Sequence, residues 1–183
     1  PELARIFREV ADVKMASDLD LPTPEAERHH HVCEPSDALR AYMKALGERA
    51  AACRNGGVDK TADNILKIAN DGRHASLDMR LVDPAANDEP DNKARKVAST
   101  VVQHYELGGD NVQLVFCDLA TPKSHRFSVY TEIRGLLVDA GIPEAEIAFA
   151  QDYKTDAQRQ AMYAAARAGQ LRVVLGSTAK MGM

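Results

Sequence analysis

Three short apolar runs set the limits on what this chain can fold into. They are Val112-Gln113-Leu114-Val115-Phe116-Cys117, Ile147-Ala148-Phe149-Ala150 and Leu171-Arg172-Val173-Val174-Leu175. Each is mostly apolar and reads as a short strand. Before the first, Val97, Val101, Val102 and Tyr105 share one face of a helix that ends at Gly108-Gly109. Before the second, Phe127, Tyr130, Ile133, Leu136 and Leu137 form another, ended by Gly141. Before the third, Thr155-x-x-Gln158 has the capping-box spacing and opens a helix through Ala168, with Gly169 just past its end. Residues 93–175 therefore read α-β-α-β-α-β. Mostly apolar strands alternating with helices mean a parallel sheet with helices on both faces. Right-handed crossovers put the loops 117–124, 150–155 and 176–183 along one edge. That is the edge where open α/β sheets bind their ligands.

The first 92 residues carry a different pattern. Leu3, Ile6, Phe7, Val10 and Val13 recur at helical spacing, predicting a helix over 2–15. The prolines of Leu21-Pro22-Thr23-Pro24 break it. His29-His30-His31-Val32-Cys33-Glu34 reads as a short strand near 29–34. Neighbours on a strand point to opposite faces, so the three histidines do not make a metal site by themselves. Ser36 is placed to cap a helix carrying Leu39, Tyr42, Met43, Leu46 and Ala50, which Asn55-Gly56-Gly57 ends. A third helix is expected over 61–69 and toward 79, with Asn70-Asp71-Gly72 as a candidate break. The polar run Asn87-Asp88-Glu89-Pro90-Asp91-Asn92 reads as an exposed loop and internal boundary. The expected organisation is a mainly helical lead-in over 1–92, followed by an α/β part over 93–183.

Composition narrows the function classes. A net charge of −4 argues against a globally basic nucleic-acid binder but leaves room for a local basic face. Cys33, Cys53 and Cys117 are an odd, scattered set without C-x-x-C. They read as buried reduced thiols of a cytoplasmic protein rather than as disulfides or zinc ligands. No apolar run approaches the ~20 residues that a membrane-spanning helix requires.

The edge loops collect Asp118, Thr121, Lys123, Ser124, Asp152, Lys154, Ser177, Thr178 and Lys180. Small hydroxyls and lysines suit phosphate oxygens, although loop ends are polar in most proteins. Motifs that would make the chain an enzyme in its own right are missing from its sequence. Gly176-Ser177-Thr178-Ala179-Lys180 holds the ingredients of a phosphate-binding loop in the wrong order to wrap a triphosphate. No G-x-G-x-x-G follows a strand, and no G-x-S-x-G elbow occurs. Cys117 at a strand end faintly suggests a cysteine phosphatase, but that loop wants arginine at position 123, which is Lys123. No pair of carboxylates is placed for acid–base work, so no catalytic residue is expected.

The residues also carry a family likeness. Gln113-Leu114-Val115-Phe116-Cys117-Asp118-Leu119-Ala120-Thr121 resembles motif IV of the second RecA-like lobe of superfamily 2, Snf-type helicases and translocases. Asp152-Tyr153-Lys154-Thr155-Asp156-Ala157-Gln158-Arg159 is similar to the turn and helix start that follow, with Tyr153 where glycine is usual. Val173-Val174-Leu175-Gly176-Ser177-Thr178-Ala179-Lys180-Met181-Gly182 resembles the start of motif V. Asp63-Asn64-Ile65-Leu66-Lys67-Ile68 and Asp78-Met79-Arg80-Leu81-Val82-Asp83-Pro84 look closest to large phage- and plasmid-borne proteins that join a helicase to an adenine DNA methylase. The resemblance implies a RecA-like lobe cut within motif V. Thr121, Lys123 and Thr178 would contact the DNA backbone, with Ser177 and Lys180 beside them, and Gly182 would lie near an ATP cleft. It implies ATP and Mg²⁺ in the longer parent and none in this piece, with DNA and the first RecA-like lobe as partners. The alternative expectation is a non-catalytic RecA-like interaction domain of a larger DNA-modification protein.

Overall fold

The computed structural model describes residue 11 and residues 25–57, 59, 61–109, 111–122 and 127–181. The helix expected over 2–15 lies outside them. The chain divides into two compact units, Pro1–His31 and Val32–Met183. In the first, residues 25–31 have no regular structure, and His29 Nε2 lies 3.1 Å from Glu27 Oε1, both exposed. The strand expected near 29–34 does not form. A strand requires a neighbour for its backbone groups, and the strands of the sheet pair only with one another.

The second unit opens with helix α1, Asp37–Arg54, whose N-cap Ser36 accepts a hydrogen bond from the Leu39 N–H. Helix α2 spans Ile65–Leu77 and begins later than its apolar pattern suggests. Asp59 Oδ1 takes the Thr61 N–H at 2.9 Å and its hydroxyl at 2.8 Å, closing a turn that competes with the helix. Asn64 caps instead, accepting from the Lys67 N–H. Asn70-Asp71-Gly72 does not break α2. A Cβ on Gly72 would come within 3.3 Å of Leu46 Cδ1, so the missing side chain lets α1 pack closely. Arg49 of α1 then bridges Asp63 at 2.7 Å and Asp71 at 3.0 Å.

A short 3₁₀ turn, Met79–Leu81, leads into the polar loop at 87–92. That loop is pinned. The nearly buried Asp78 carboxylate accepts from Arg80 Nε at 3.0 Å, Arg80 Nη2 at 2.8 Å and Asn92 Nδ2 at 3.1 Å. Arg80 also reaches Asp88 at 3.1 Å and Glu132 at 3.2 Å, and its guanidinium lies 4.1 Å from the Phe127 ring centre. Asn92 caps helix α3, Lys93–Glu106.

From there the alternation predicted from the apolar runs holds. Strand β1 is Gln113–Phe116, helix α4 Val129–Asp139, strand β2 Ile147–Phe149, helix α5 Asp156–Arg167 and strand β3 Val173–Gly176. Thr155 and Gln158 form the complete capping box, and Gly169 at φ +73° turns the chain out of α5. All strand pairs are parallel, in the order β1-β3-β2, with Phe116 opposite Gly176 and Phe149 opposite Leu175.

The chain passes from β1 over β3 to β2, then returns to the centre. Right-handed crossovers in opposite directions place α4 and α5 on opposite faces. The cores agree. Ala98 and Val101 of α3, and Ile133 and Leu137 of α4, pack on Phe149, Val173 and Leu175. Met162 of α5 packs on Ala148 and Val174. Helix α5 leaves part of β1 uncovered, so Leu114 is 55% and Phe116 50% exposed. The architecture is thus α/β, a parallel sheet with helices on both faces, preceded by a helical segment. Among the described residues, no helix is long and apolar enough to cross a membrane.

Candidate functional site

Because the three strands run the same way, their following loops meet at one edge. The central strand β3 places its loop between the other two. Ser177 is half-buried there, and Thr178 and Lys180 are exposed. They begin and occupy the one-turn helix α6, Thr178–Met181, closed by Lys180 and Met181 N–H donating to the Ser177 carbonyl at 2.9 and 3.0 Å. On one flank, Ala150 and Met181 crowd Gly176. On the other, Asp118 from the β1 loop reaches across. Its Oδ1 accepts the Thr178 N–H at 2.7 Å, and its Oδ2 accepts the Thr178 hydroxyl at 2.9 Å.

The β1 loop is held from several directions. Cys117 N–H continues the ladder to the Gly176 carbonyl at 3.0 Å. The Tyr130 hydroxyl donates to the Cys117 carbonyl, and Ser128 Oγ donates to the Ala120 carbonyl at 3.2 Å. Ala120 adopts φ +55°, a left-handed conformation that costs a non-glycine residue about 1–2 kcal/mol. Asp118, Leu119, Ala120 and Thr121 line a hollow of about 680 Å³ with His74, Arg80, Leu81, Val82, Pro84 and Phe127. Burial pushes the Tyr130 phenol up to about 12. Burial also raises the Cys117 thiol, which donates to the Leu119 carbonyl at 3.1 Å. A nucleophilic cysteine needs the opposite shift, so Cys117 is not poised as a phosphatase thiolate. All three cysteines are free, and each is only partly buried where buried thiols were expected. Cys117 sits at the end of an edge strand, where the uncovered side of β1 leaves it partly open.

The structure therefore brings Asp118 against Thr178 and sets Ser177 beside them, with Thr121 on the β1 loop. Lys180 is exposed and makes no ion pair among the described residues. Asp152 and Lys154 lie on the β2 side, where Lys154 N–H donates to Gln158 Oε1 at 2.8 Å. Lys123, Ser124 and Gly182 lie outside the described residues.

Two features of this edge were not readable from residue spacing. His74 and Arg80 arrive from the helical lead-in, which no local pattern connects to the β1 loop. Gln151, in the 3₁₀ turn Ala150–Asp152 after β2, has both side-chain polar atoms buried with no hydrogen-bond partner among the described residues. Among the described residues, no group of three His, Cys, Asp or Glu side chains is gathered to hold a metal. No protein-family profile, curated protein or solved structure matches the chain.

Proposed function

We propose that this chain is the DNA-gripping lobe of an ATP-dependent helicase or translocase. Thr121, Lys123, Ser177, Thr178 and Lys180 hold the phosphate backbone, and the region of Gly182 forms one wall of an ATP cleft completed by a first RecA-like lobe. One observation carries this reading. The Thr178 N–H and hydroxyl both converge on a single anionic group at the carboxyl edge of a parallel sheet. Two donors converging on one anion are what a phosphodiester oxygen pair also accepts. Contacts of that kind recognise no base, so binding is sequence-independent and weakens with salt. ATP and Mg²⁺ belong to the longer parent. This chain alone hydrolyses no ATP, and turnover above buffer background by the purified chain contradicts that.

Anisotropy titrations of labelled single- and double-stranded DNA, run across a salt series, test the proposal. Engaging two lysines predicts a log–log salt slope of about −1.8 on duplex and about −1.4 on single-stranded DNA. Lys123→Glu lowers affinity and flattens the slope, while Thr178→Ala lowers affinity with little change in slope. Unchanged affinity in both variants, or no binding at all, favours a RecA-like interaction domain, a reading the net charge of −4 supports.

A further inference from the structure

We infer that the hollow between the helical lead-in and the β1 loop is a pocket for one nucleobase that carries an exocyclic amine. The inference rests on the function proposed above for the source of the base, a strand held at the same edge of the sheet. The hollow's volume of about 680 Å³ lies within the roughly 300–1,000 Å³ of small-molecule sites. It lies at the loop that follows β1, on the edge where open α/β sheets take their ligands. Both segments bring apolar residues to it, Leu81 and Pro84 from the lead-in and Leu119 and Phe127 from the β1 loop. A mostly apolar lining with a few polar groups suits the body of a heterocycle.

The polar groups of the lining select among ligands. The Arg80 side chain is 16% exposed and spends Nε and Nη2 on Asp78, Asp88 and Glu132. Its Nη1, with two N–H donors, makes no hydrogen bond among the described residues. Unspent donors on a held guanidinium call for an acceptor and turn a cation away. An anion is turned away too. The carboxylates of Asp78, Asp88, Glu132 and Asp118 outnumber the guanidiniums of Arg80 and Arg95 there, so the local charge is negative. His74 Nδ1 lies 2.9 Å from the Asn70 carbonyl. A carbonyl only accepts, so in the neutral ring Nδ1 carries the hydrogen and Nε2 is an acceptor, without a partner among the described residues. Thr121 adds an exposed hydroxyl that both donates and accepts. A neutral ligand with an acceptor for Arg80 Nη1 and a donor for His74 Nε2 meets these conditions. Cytosine, adenine and guanine each present an amine beside an acceptor, and thymine has no amine.

The test is chemical-shift mapping of the ¹⁵N,¹³C-labelled 183-residue chain titrated with free deoxycytidine, deoxyadenosine and thymidine, which carry no phosphate. Deoxycytidine and deoxyadenosine shift residues 74, 80, 118–121 and 127, and each binds about fivefold or more tightly than thymidine. His74→Leu, folded by circular dichroism, loses that preference; a preference kept by the folded variant overturns the selection by Nε2. No shift with any nucleoside, thymidine binding as tightly as the others, or shifts centred elsewhere overturn the pocket. Those outcomes are read on wild type, so they hold even if His74→Leu does not fold. A fully abasic deoxyribose-phosphate decamer reads the backbone grip separately. Abasic binding without nucleoside shifts keeps the grip and overturns the pocket, whereas nucleoside shifts without abasic binding support the pocket and overturn the grip.

Discussion

Gly176→Ala probes the joint between the sheet and its edge loop. A Cβ at this position would lie 2.8 Å from Ala150 Cβ, 2.8 Å from Met181 Cγ and 2.9 Å from Met181 Sδ. Carbon atoms prefer separations of about 3.5–4.0 Å, so all three contacts are well inside the repulsive wall. Met181 can rotate away. Ala150 cannot, because its Cβ is fixed to a turn that follows β2 directly, where Phe149 pairs with Leu175. Overpacking of this kind costs about 1–3 kcal/mol. Replacing glycine in a strand returns about 0.5–1 kcal/mol of chain entropy. The net loss is about 1–2 kcal/mol, a fall in melting temperature of about 2–8 °C for a chain of this size. Urea melts followed by circular dichroism measure it. Adding Ala150→Gly removes the fixed contact and recovers about 1 kcal/mol relative to additivity. A Gly176→Ala protein as stable as wild type, or one showing no coupling to Ala150→Gly, refutes the close approach of β2 and β3 at the site.

Three further perturbations have defined outcomes. Asp78→Ala takes one of three carboxylates from a largely buried guanidinium and a hydrogen-bond acceptor from Asn92; with Asp88 and Glu132 still beside Arg80 the loss is about 2 kcal/mol, read as a lower urea midpoint with unchanged slope. Gln151→Met replaces a buried, unpartnered amide by an apolar side chain of similar shape and raises stability by about 1 kcal/mol. The Arg95 guanidinium beside Asp88 holds its carboxyl below the usual range. A carboxyl depressed in the folded state contributes stability above its ordinary value near ~4 and loses it as pH falls further. The urea midpoint therefore drops below pH 4, and drops less steeply in Asp88→Asn.

The α/β half was largely legible because its signals are local. Apolar runs bounded by glycine located β1, β2 and β3 within two residues, and the Thr155/Gln158 pair marked the start of α5. The boundary of β3 moved from 171–175 to Val173–Gly176 because pairing with β1 extends the ladder to Gly176, while Leu171 joins the core beneath α5. The lead-in was less legible. Asn70-Asp71-Gly72 has turn composition, yet a neighbouring helix 24–26 residues earlier, carrying Leu46, turns the glycine into a packing feature. Residues 29–34 have strand composition but no partner strand among the described residues. At the site, spacing located the loops and most of the polar residues on them. It did not reveal that Asp118 grips Thr178 across 60 residues, or that Arg80 joins Glu132 across 52. Such contacts depend on the order of strands and the faces of helices, which periodicity does not encode.

Amide chemical-shift mapping tests the central claim most directly. The ¹⁵N-labelled chain is titrated with short single-stranded DNA at low and high salt. A phosphate grip at the carboxyl edge predicts shifts concentrated in 118–122 and 177–181, largest at Thr178 and reversed by salt. Shifts confined to α1 and α2, or to the uncovered β1 face around Leu114 and Phe116, or none at saturating DNA, contradict it.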